Sequence, residues 1–555
     1  MRDLRPIVRF RALLPRSRER RVALAWAAGV LVVAAATAPS VGISRDESVY
    51  FAAAEAYPRF WGEVVRAPSH ALALADAYYS VNREHPPFAK LVYGVTHAVL
   101  SKGLGLASHA QGFRFGAFLF AALLAYLLAT WGGSLAGLWG GVLAPAFFFF
   151  VPRNFYHSHP AVLDLPETTL WLATAYAFWR SAGAGGDQAR NGRWALATGL
   201  LFGLSIATKH NGWFLLPLLA ACWLLAAVPA ALREGPRALG ARFPSALLAM
   251  AALGPLVLLA SWPWLWHDTW PRFAAYVSFH VHHENYPWSY FGRLLREPPF
   301  PVAYPFVVTA LTVPLAVLAS MAGGLAQSLS RIVRAVRGRG GEISLPTEVL
   351  LFANAVFPLA LIAWPTVPHF GGVKHWMPAM PFLALLGARA IASAAQVLGP
   401  GRSGAVAGVL AALALVPAAW QTAHVHPFGT AAWNELAGGA AGAASLGMQR
   451  QFWGDNMIAI LEDLNEHAAS GARVWFQEAT WLAVKEYQRD GRLRPDLAWA
   501  TGPEDADISV WHYHREFLDK EFRTWTEFGN ARPVAGAYLD ETPLVQIYAR
   551  PGAWR

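Results

Sequence analysis

Two adjacent carboxylates, Asp46 and Glu47, stand directly after the first long apolar run of the chain, Val22 to Val41. A carboxylate held at the edge of a lipid core and open to solvent can take a proton, so the pair is a candidate for general-base chemistry. Its surroundings divide the work. Ser44 and Glu47 read as an S-x-x-E capping box, which turns Glu47 towards backbone amides. Asp46 falls in the first helical turn, where the helix dipole favours an ionised side chain. Three further groups carry chemistry. Arg83-Glu84-His85-Pro86-Pro87 leads into a half-apolar piece holding Lys90, and presents an acid and cations at headgroup level. His157-Ser158-His159-Pro160 precedes Asp164-Leu165-Pro166, where N-capping accounts for the aspartate as well as chemistry does. His280, His282, His283 and Glu284 form an H-x-H-H-E set able to ligate a metal, though without the spacing of a known zinc motif. The cations Lys90, Arg153, Lys209, Arg293 and Lys374 flank apolar runs, where they suit a phosphate at a membrane surface.

The elements that position these groups follow from composition. A chain of 555 residues, 55% hydrophobic and 14% charged, is too apolar for an ordinary soluble protein and too long for one core. It reads as a polytopic α-helical membrane protein. The net charge of +10 does not indicate nucleic acid, because the arginines lie in short clusters between apolar runs, as topology signals do. The N-terminus carries Arg2, Arg5, Arg9, Arg11, Arg16, Arg18, Arg20 and Arg21, so the first run reads as an uncleaved span that starts in the cytoplasm. Cys222 is the single cysteine, which excludes an internal disulfide.

With residues 88–106 lying on the interface, further spans are expected near 113–131, 135–152, 165–180, 194–208, 212–230, 244–262, 302–322, 347–364, 376–397 and 404–420, about eleven in all. This register puts Arg180, Arg190 and Arg193, then Arg233, Arg237 and Arg242, then Arg331 to Arg339, then Arg389 and Arg402 on the starting side. Four alternate loops thus obey the positive-inside rule, and a span at 88–106 would invert them all. On the opposite face fall a first outer loop, 42–110, a second, 263–301, the Lys209-His210-Asn211 corner and residues 365–375. The membrane domain is expected over 1–423. Residues 424–555 have a soluble composition, with strand-like runs at Arg473-Val474-Trp475-Phe476 and Leu544-Val545-Gln546-Ile547-Tyr548, and read as a small α/β domain on the outer face.

Neither a P-loop nor a strand-bound G-x-G-x-x-G is present, so a donor substrate need not be a nucleotide. The ordered set Asp46-Glu47, His85-Pro86-Pro87 with Lys90, Asp164-x-Pro166 and Thr208-Lys209-His210-Asn211-Gly212 resembles the protein O-mannosyltransferases and their wider glycosyltransferase family 39, with the related aminoarabinose transferases that modify lipid A. The segments His282-His283-Glu284-Asn285-Tyr286-Pro287, Asn434-Glu435-Leu436 and Trp453-Gly454-Asp455 resemble bacterial phospholipid carrier-dependent transferases. The resemblance implies a C-superfamily glycosyltransferase fold, with a polyprenyl-phosphate sugar as donor and an acceptor protein, lipid or glycan. It implies Asp46, with Glu47 beside it, and Asp164 as catalytic carboxylates. It implies His85, Lys90, Lys209 and Arg83 at the donor phosphate, and a divalent metal on Glu84, His282 and His283. Phe88-Ala89 stands where mannosyltransferases prefer Leu-Gly, and His85 where aminoarabinose transferases have a lysine. The β-trefoil insert of the eukaryotic enzymes is missing. The expected location is a bacterial inner membrane, with the C-terminal domain periplasmic. A polytopic transporter or lipid flippase also needs many spans and few polar residues, but it commonly places charges near the midplane and uses repeated halves.

Overall fold

The computed structural model describes residues 17–183, 188–235, 237, 239, 243–338 and 345–555. The first helix, α1 (Ser17–Thr37), packs along the long helical segment α5 (His109–Phe149). Between them lies the segment expected as the first outer loop, built from α2 (Arg45–Arg66), α3 (Ala71–Tyr79) and α4 (Phe88–His97). Helix α2 starts where the sequence places it. Ser44 and Glu47 close the capping box, and Tyr50, Phe51, Ala54 and Tyr57 form its buried face at helical spacing.

Two spans were expected within α5, and two helical arms are found. The backbone leaves helical geometry at Ala136 and at Gly137, whose φ of 65° suits glycine, and the chain doubles back. The arms are so close that a Cβ on Gly132 would lie 2.3 Å from the Gly140 carbonyl oxygen. After α6 (Pro152–His157) come α7 (Asp164–Ser181), α8 (Gln188–Ile206), α9 (Leu215–Glu234) and the helix Ser245–Ser261.

The span expected at 302–322 is instead broken into Tyr304–Thr312 and Leu315–Val336. Pro314 removes an amide donor and forces Val313 into extended backbone (φ −85°, ψ 129°), so one helix cannot run through. Helices Leu345–Ile362, Met380–Leu398 and Ser403–Val425 complete the bundle. Among the described residues, seven helices are long and apolar enough to cross a membrane, and the chain is an integral membrane protein.

The stretches expected as strands are strands. The C-terminal sheet has the order β4-β3-β5-β7-β6, with β3 (Arg473–Phe476), β4 (Ala498–Trp499), β5 (Ile508–His512), β6 (Ala535–Leu539) and β7 (Thr542–Ala549). β3 pairs in parallel with β4 and β5, while β7 is antiparallel to β5 and β6. An antiparallel hairpin within residues 263–301 supplies β1 (Trp288–Tyr290) and β2 (Arg293–Leu295). The C-terminal region does not stand apart from the segment that holds α2 and α4. Ile43, Phe51 and Tyr93 share one apolar cluster with Met457, Ile460, Val474 and Val510. The Ile43 amide donates to Tyr487 Oη at 2.6 Å, and the Ser48 and Thr480 hydroxyls meet at 2.7 Å.

Candidate active site

The segments expected to share one face meet around a single cavity of about 620 Å³. Its wall takes Asp46 and Tyr50 from α2, Glu84 and His85 from the turn before α4, Asp164 from the start of α7, and Lys209 from the corner after α8. The loop before Met377 adds Lys374 and His375, and the C-terminal region adds Trp453, Glu478 and His514.

Asp46 sits in the first turn of α2, with about a third of its side chain open (32%), and its Oδ2 lies 3.3 Å from Lys374 Nζ. Lys374 is held from several directions. Gly371, at φ 78°, turns the chain so tightly that a Cβ there would come within 2.6 Å of Lys374 Cε. The ammonium lies 4.4 Å from the ring centroid of Trp453, a cation–π contact. Trp453 itself adopts a φ of 82°, a costly conformation for a bulky residue, and its carbonyl accepts from the Arg45 amide at 2.8 Å. This strained turn thereby joins the cation to the first residue of α2.

A second acid–base pair lies across the cavity, where Lys209 Nζ donates to Asp164 Oδ1 at 2.6 Å. Around it stand imidazoles. His210 stacks on His280 with centroids 4.1 Å apart, and His85 lies 5.6 Å from His280. Burial lowers the proton affinity of His85 and His375 well below the usual range, and brings His280 down to about 4. These rings are neutral at physiological pH and offer hydrogen bonds rather than charge. Among the described residues, the only Lys or Arg side chains lining the cavity are Arg45, Lys209 and Lys374.

Of the residues expected at the site, Asp46, Glu84, His85, Asp164, Lys209 and His283 line this cavity, and Glu47, Lys90, Arg83 and His282 do not. Glu47 is fully buried: Oε1 accepts from Arg114 Nε at 2.8 Å and from the Ala161 amide at 2.7 Å, and Oε2 from Arg114 Nη2 at 2.8 Å. It braces α2 against α5 and has no free lone pair facing the cavity. Lys90 donates to Asn82 Oδ1 at 2.7 Å and to the carbonyls of Asn82 (3.1 Å) and His85 (2.9 Å), which uses all three of its protons. Burial pushes its ammonium down to about 7, and it ties the 82–85 turn to α4. Arg83 and His282 are exposed elsewhere. Glu84 accepts from Asn82 Nδ2 at 2.6 Å, His283 Nδ1 donates to the Glu284 carbonyl at 2.8 Å, and His282 Nδ1 contacts the Ser278 carbonyl at 3.2 Å. Among the described residues no group of three such ligands is gathered for a metal, so Glu84, His282 and His283 do not fit as a metal set and no step is routed through one. Lys374 was expected only as one of five cations suited to a phosphate at the membrane surface, and its pairing with Asp46 was not.

Neither a family model nor a curated protein sequence matches the chain. Solved structures do. ArnT from Cupriavidus metallidurans in the apo state superposes with a TM-score of 0.51 at 13% identity, covering 96% of this chain and 98% of that one. The same protein bound to undecaprenyl phosphate gives 0.51 at 12% identity, covering 94% and 97%. The Archaeoglobus fulgidus oligosaccharyltransferase in the apo form gives 0.49 at 13% identity, covering 91% and 72%. The chain has the fold of these ArnT structures, one of the relatives that the resemblance in the sequence implied.

Proposed function

We propose that this protein is a membrane glycosyltransferase that moves a sugar from a polyprenyl-phosphate donor to an acceptor hydroxyl on the non-cytoplasmic face, with inversion. One observation carries the reading. A partly open carboxylate, Asp46, shares a cavity with two lysines, Lys374 and Lys209, whose ammonium groups face it from different loops. A volume of about 620 Å³ accommodates a sugar phosphate with room for an attacking hydroxyl. The fold supports it, since ArnT in that fold is solved with undecaprenyl phosphate bound.

In the proposed reaction the acceptor oxygen forms a bond to the anomeric carbon as its proton passes to the Asp46 carboxylate. The bond from that carbon to the phosphate oxygen breaks, and polyprenyl phosphate departs with the electron pair. The transition state carries oxocarbenium character, with negative charge growing on the phosphate. Lys209 and Lys374 neutralise that charge, and His85 and His280 donate hydrogen bonds. Asp164 keeps Lys209 in place until a phosphate competes for it. The sugar is a hexose or pentose, mannose-like as the resemblance in the sequence implies, and the acceptor is a protein, lipid or glycan.

The test is Asp46→Asn in purified protein, given a labelled set of polyprenyl-phosphate sugars and total membrane acceptors. Loss of a general base reduces transfer by about 10²- to 10⁴-fold, with an unchanged elution profile. Transfer within tenfold of the parent protein removes Asp46 from the mechanism.

A further inference from the structure

Among the described residues three arginines are buried, Arg114, Arg153 and Arg389. Two of them hold a carboxylate: Arg114 meets Glu47 at 2.8 Å and Arg389 meets Glu348 at 2.7 Å. Arg153, 4% exposed, pairs with no carboxylate among the described residues. Its Nε donates to the Ala432 carbonyl at 3.1 Å, its guanidinium lies 4.8 Å from the Trp433 ring centroid, and Nη2 is buried without a partner. Burial brings its proton affinity down only to about 10, so the charge is present at physiological pH. A buried cation without a counter-ion destabilises the empty protein, and an anion arriving nearby offsets that cost.

The surroundings of Arg153 identify the anion. The guanidinium lies directly behind the loop that carries Lys374, where Gly372 (φ 59°) packs so closely on it that a Cβ there would lie 3.1 Å from Nη1. On the other side of this turn, Gly371 and Lys374 line the cavity, which Arg153 itself does not reach. The cavity wall has no cation to spare. Arg45 is paired with Glu478, Lys209 with Asp164 and Lys374 with Asp46. Glu84 is left over, and Lys90 answers it from behind the 82–85 turn. A phosphate entering this balanced wall therefore needs a positive charge from the layer behind, and Arg153 is the buried cation there that no acid has claimed.

We infer that Arg153 is a positioning residue for the donor, whose charge, acting through the Gly371–Gly372 turn, draws the lipid-linked phosphate to the Lys374 side of the cavity. The inference rests on the transfer reaction proposed above and adds to it a cation that never touches the substrate. Protein rather than water fills the space between the guanidinium and the turn, so salt screens the attraction little. Glycine at 372 keeps that space short, because a side chain there would press on Nη1. With the phosphate in place, the charge that is unmatched in the empty protein has its counter-ion.

The experiment uses the full-length protein in nanodiscs, with undecaprenyl phosphate and uncharged undecaprenol as probes, binding read by native mass spectrometry and stability by the melting temperature of the empty protein. Arg153→Met keeps an unbranched chain against Trp433 and loses the charge. It is expected to bind undecaprenyl phosphate about tenfold more weakly, the effect of one unit charge acting across a protein interior. Undecaprenol binding should not change, and the empty variant should melt at or above the parent, because an unmatched buried charge has gone. Arg153→Lys, which keeps the charge, should bind undecaprenyl phosphate within about threefold of the parent. A structural role for Arg153 predicts the opposite sign in the melting temperature. An Arg153→Met variant that melts below the parent or does not fold, that binds undecaprenyl phosphate as the parent does, or that loses both lipids equally would overturn the inference and leave the transfer reaction standing, as would an Arg153→Lys variant as weak as Arg153→Met. Failure of the parent protein to bind undecaprenyl phosphate overturns the transfer reading, and this inference with it.

Discussion

Glu47 and Asp46 are neighbours in sequence, yet the structure gives them opposite work, and a single substitution separates the two. In Glu47→Gln the side chain keeps its shape and loses its charge. Arg114, buried to 1% exposure, still donates to the carbonyls of Ala38 (3.1 Å), Val41 (2.7 Å) and Gly42 (2.7 Å), but its cation has no counter-ion. The new amide also sets a donor where Oε1 or Oε2 accepted one. Breaking a buried pair by removing one partner costs about 3–5 kcal/mol, because an uncompensated charge remains in a low-dielectric interior. Arg114→Leu should cost a similar amount, whereas Glu47→Leu with Arg114→Leu removes both charges and should cost much less than the sum. The assay is thermal denaturation of detergent-purified protein followed by size-exclusion chromatography, with sugar transfer measured well below the midpoint. Glu47→Gln is expected to melt well below the parent while retaining transfer at low temperature. A variant that melts with the parent but transfers nothing would refute the structural assignment and return Glu47 to the chemistry. Strict additivity in the double variant would refute the ion pair as the source of the stability.

The remaining predictions concern charge. Lys374→Met should reduce transfer by about 10²- to 10³-fold with little loss of stability, since its partner Asp46 is a third exposed and can be solvated; a melting temperature far below the parent would show that Lys374 is structural. In the C-terminal sheet, burial, helped by His514, brings His512 down to about 3. A free histidine binds its proton below about 6.5, so between these values the unfolded chain holds more protons and stability rises with pH. Stability should therefore fall as the solution is acidified from about 6.5 towards 3, and His512→Asn should flatten that slope; an unchanged slope would sink the assignment.

What could be read from the sequence was local. Ser44-x-x-Glu47 announces a helix start, and the capping box is there because its bonds span three residues. The bundle was legible as well, because apolar runs separated by arginine clusters carry both length and register. The break at Pro314 was legible in principle, since proline restricts its own backbone and that of the residue before it; a hydropathy window smooths that residue away. The site divides along the same line. Placing Asp46 required only the end of the first run, but its partner Lys374 is 328 residues away, and no periodicity links the two. Lys90 shows the converse. Its position beside His-Pro-Pro made it a natural phosphate ligand, yet Asn82 and His85 claim its protons through a turn whose shape depends on how α4 packs against α2 and α5. Residue type and order therefore identified which groups could act, while packing decided which remained free to do so. The C-terminal wall lay furthest beyond reach, because a soluble composition is compatible with a detached domain as readily as with one whose core runs on into α2.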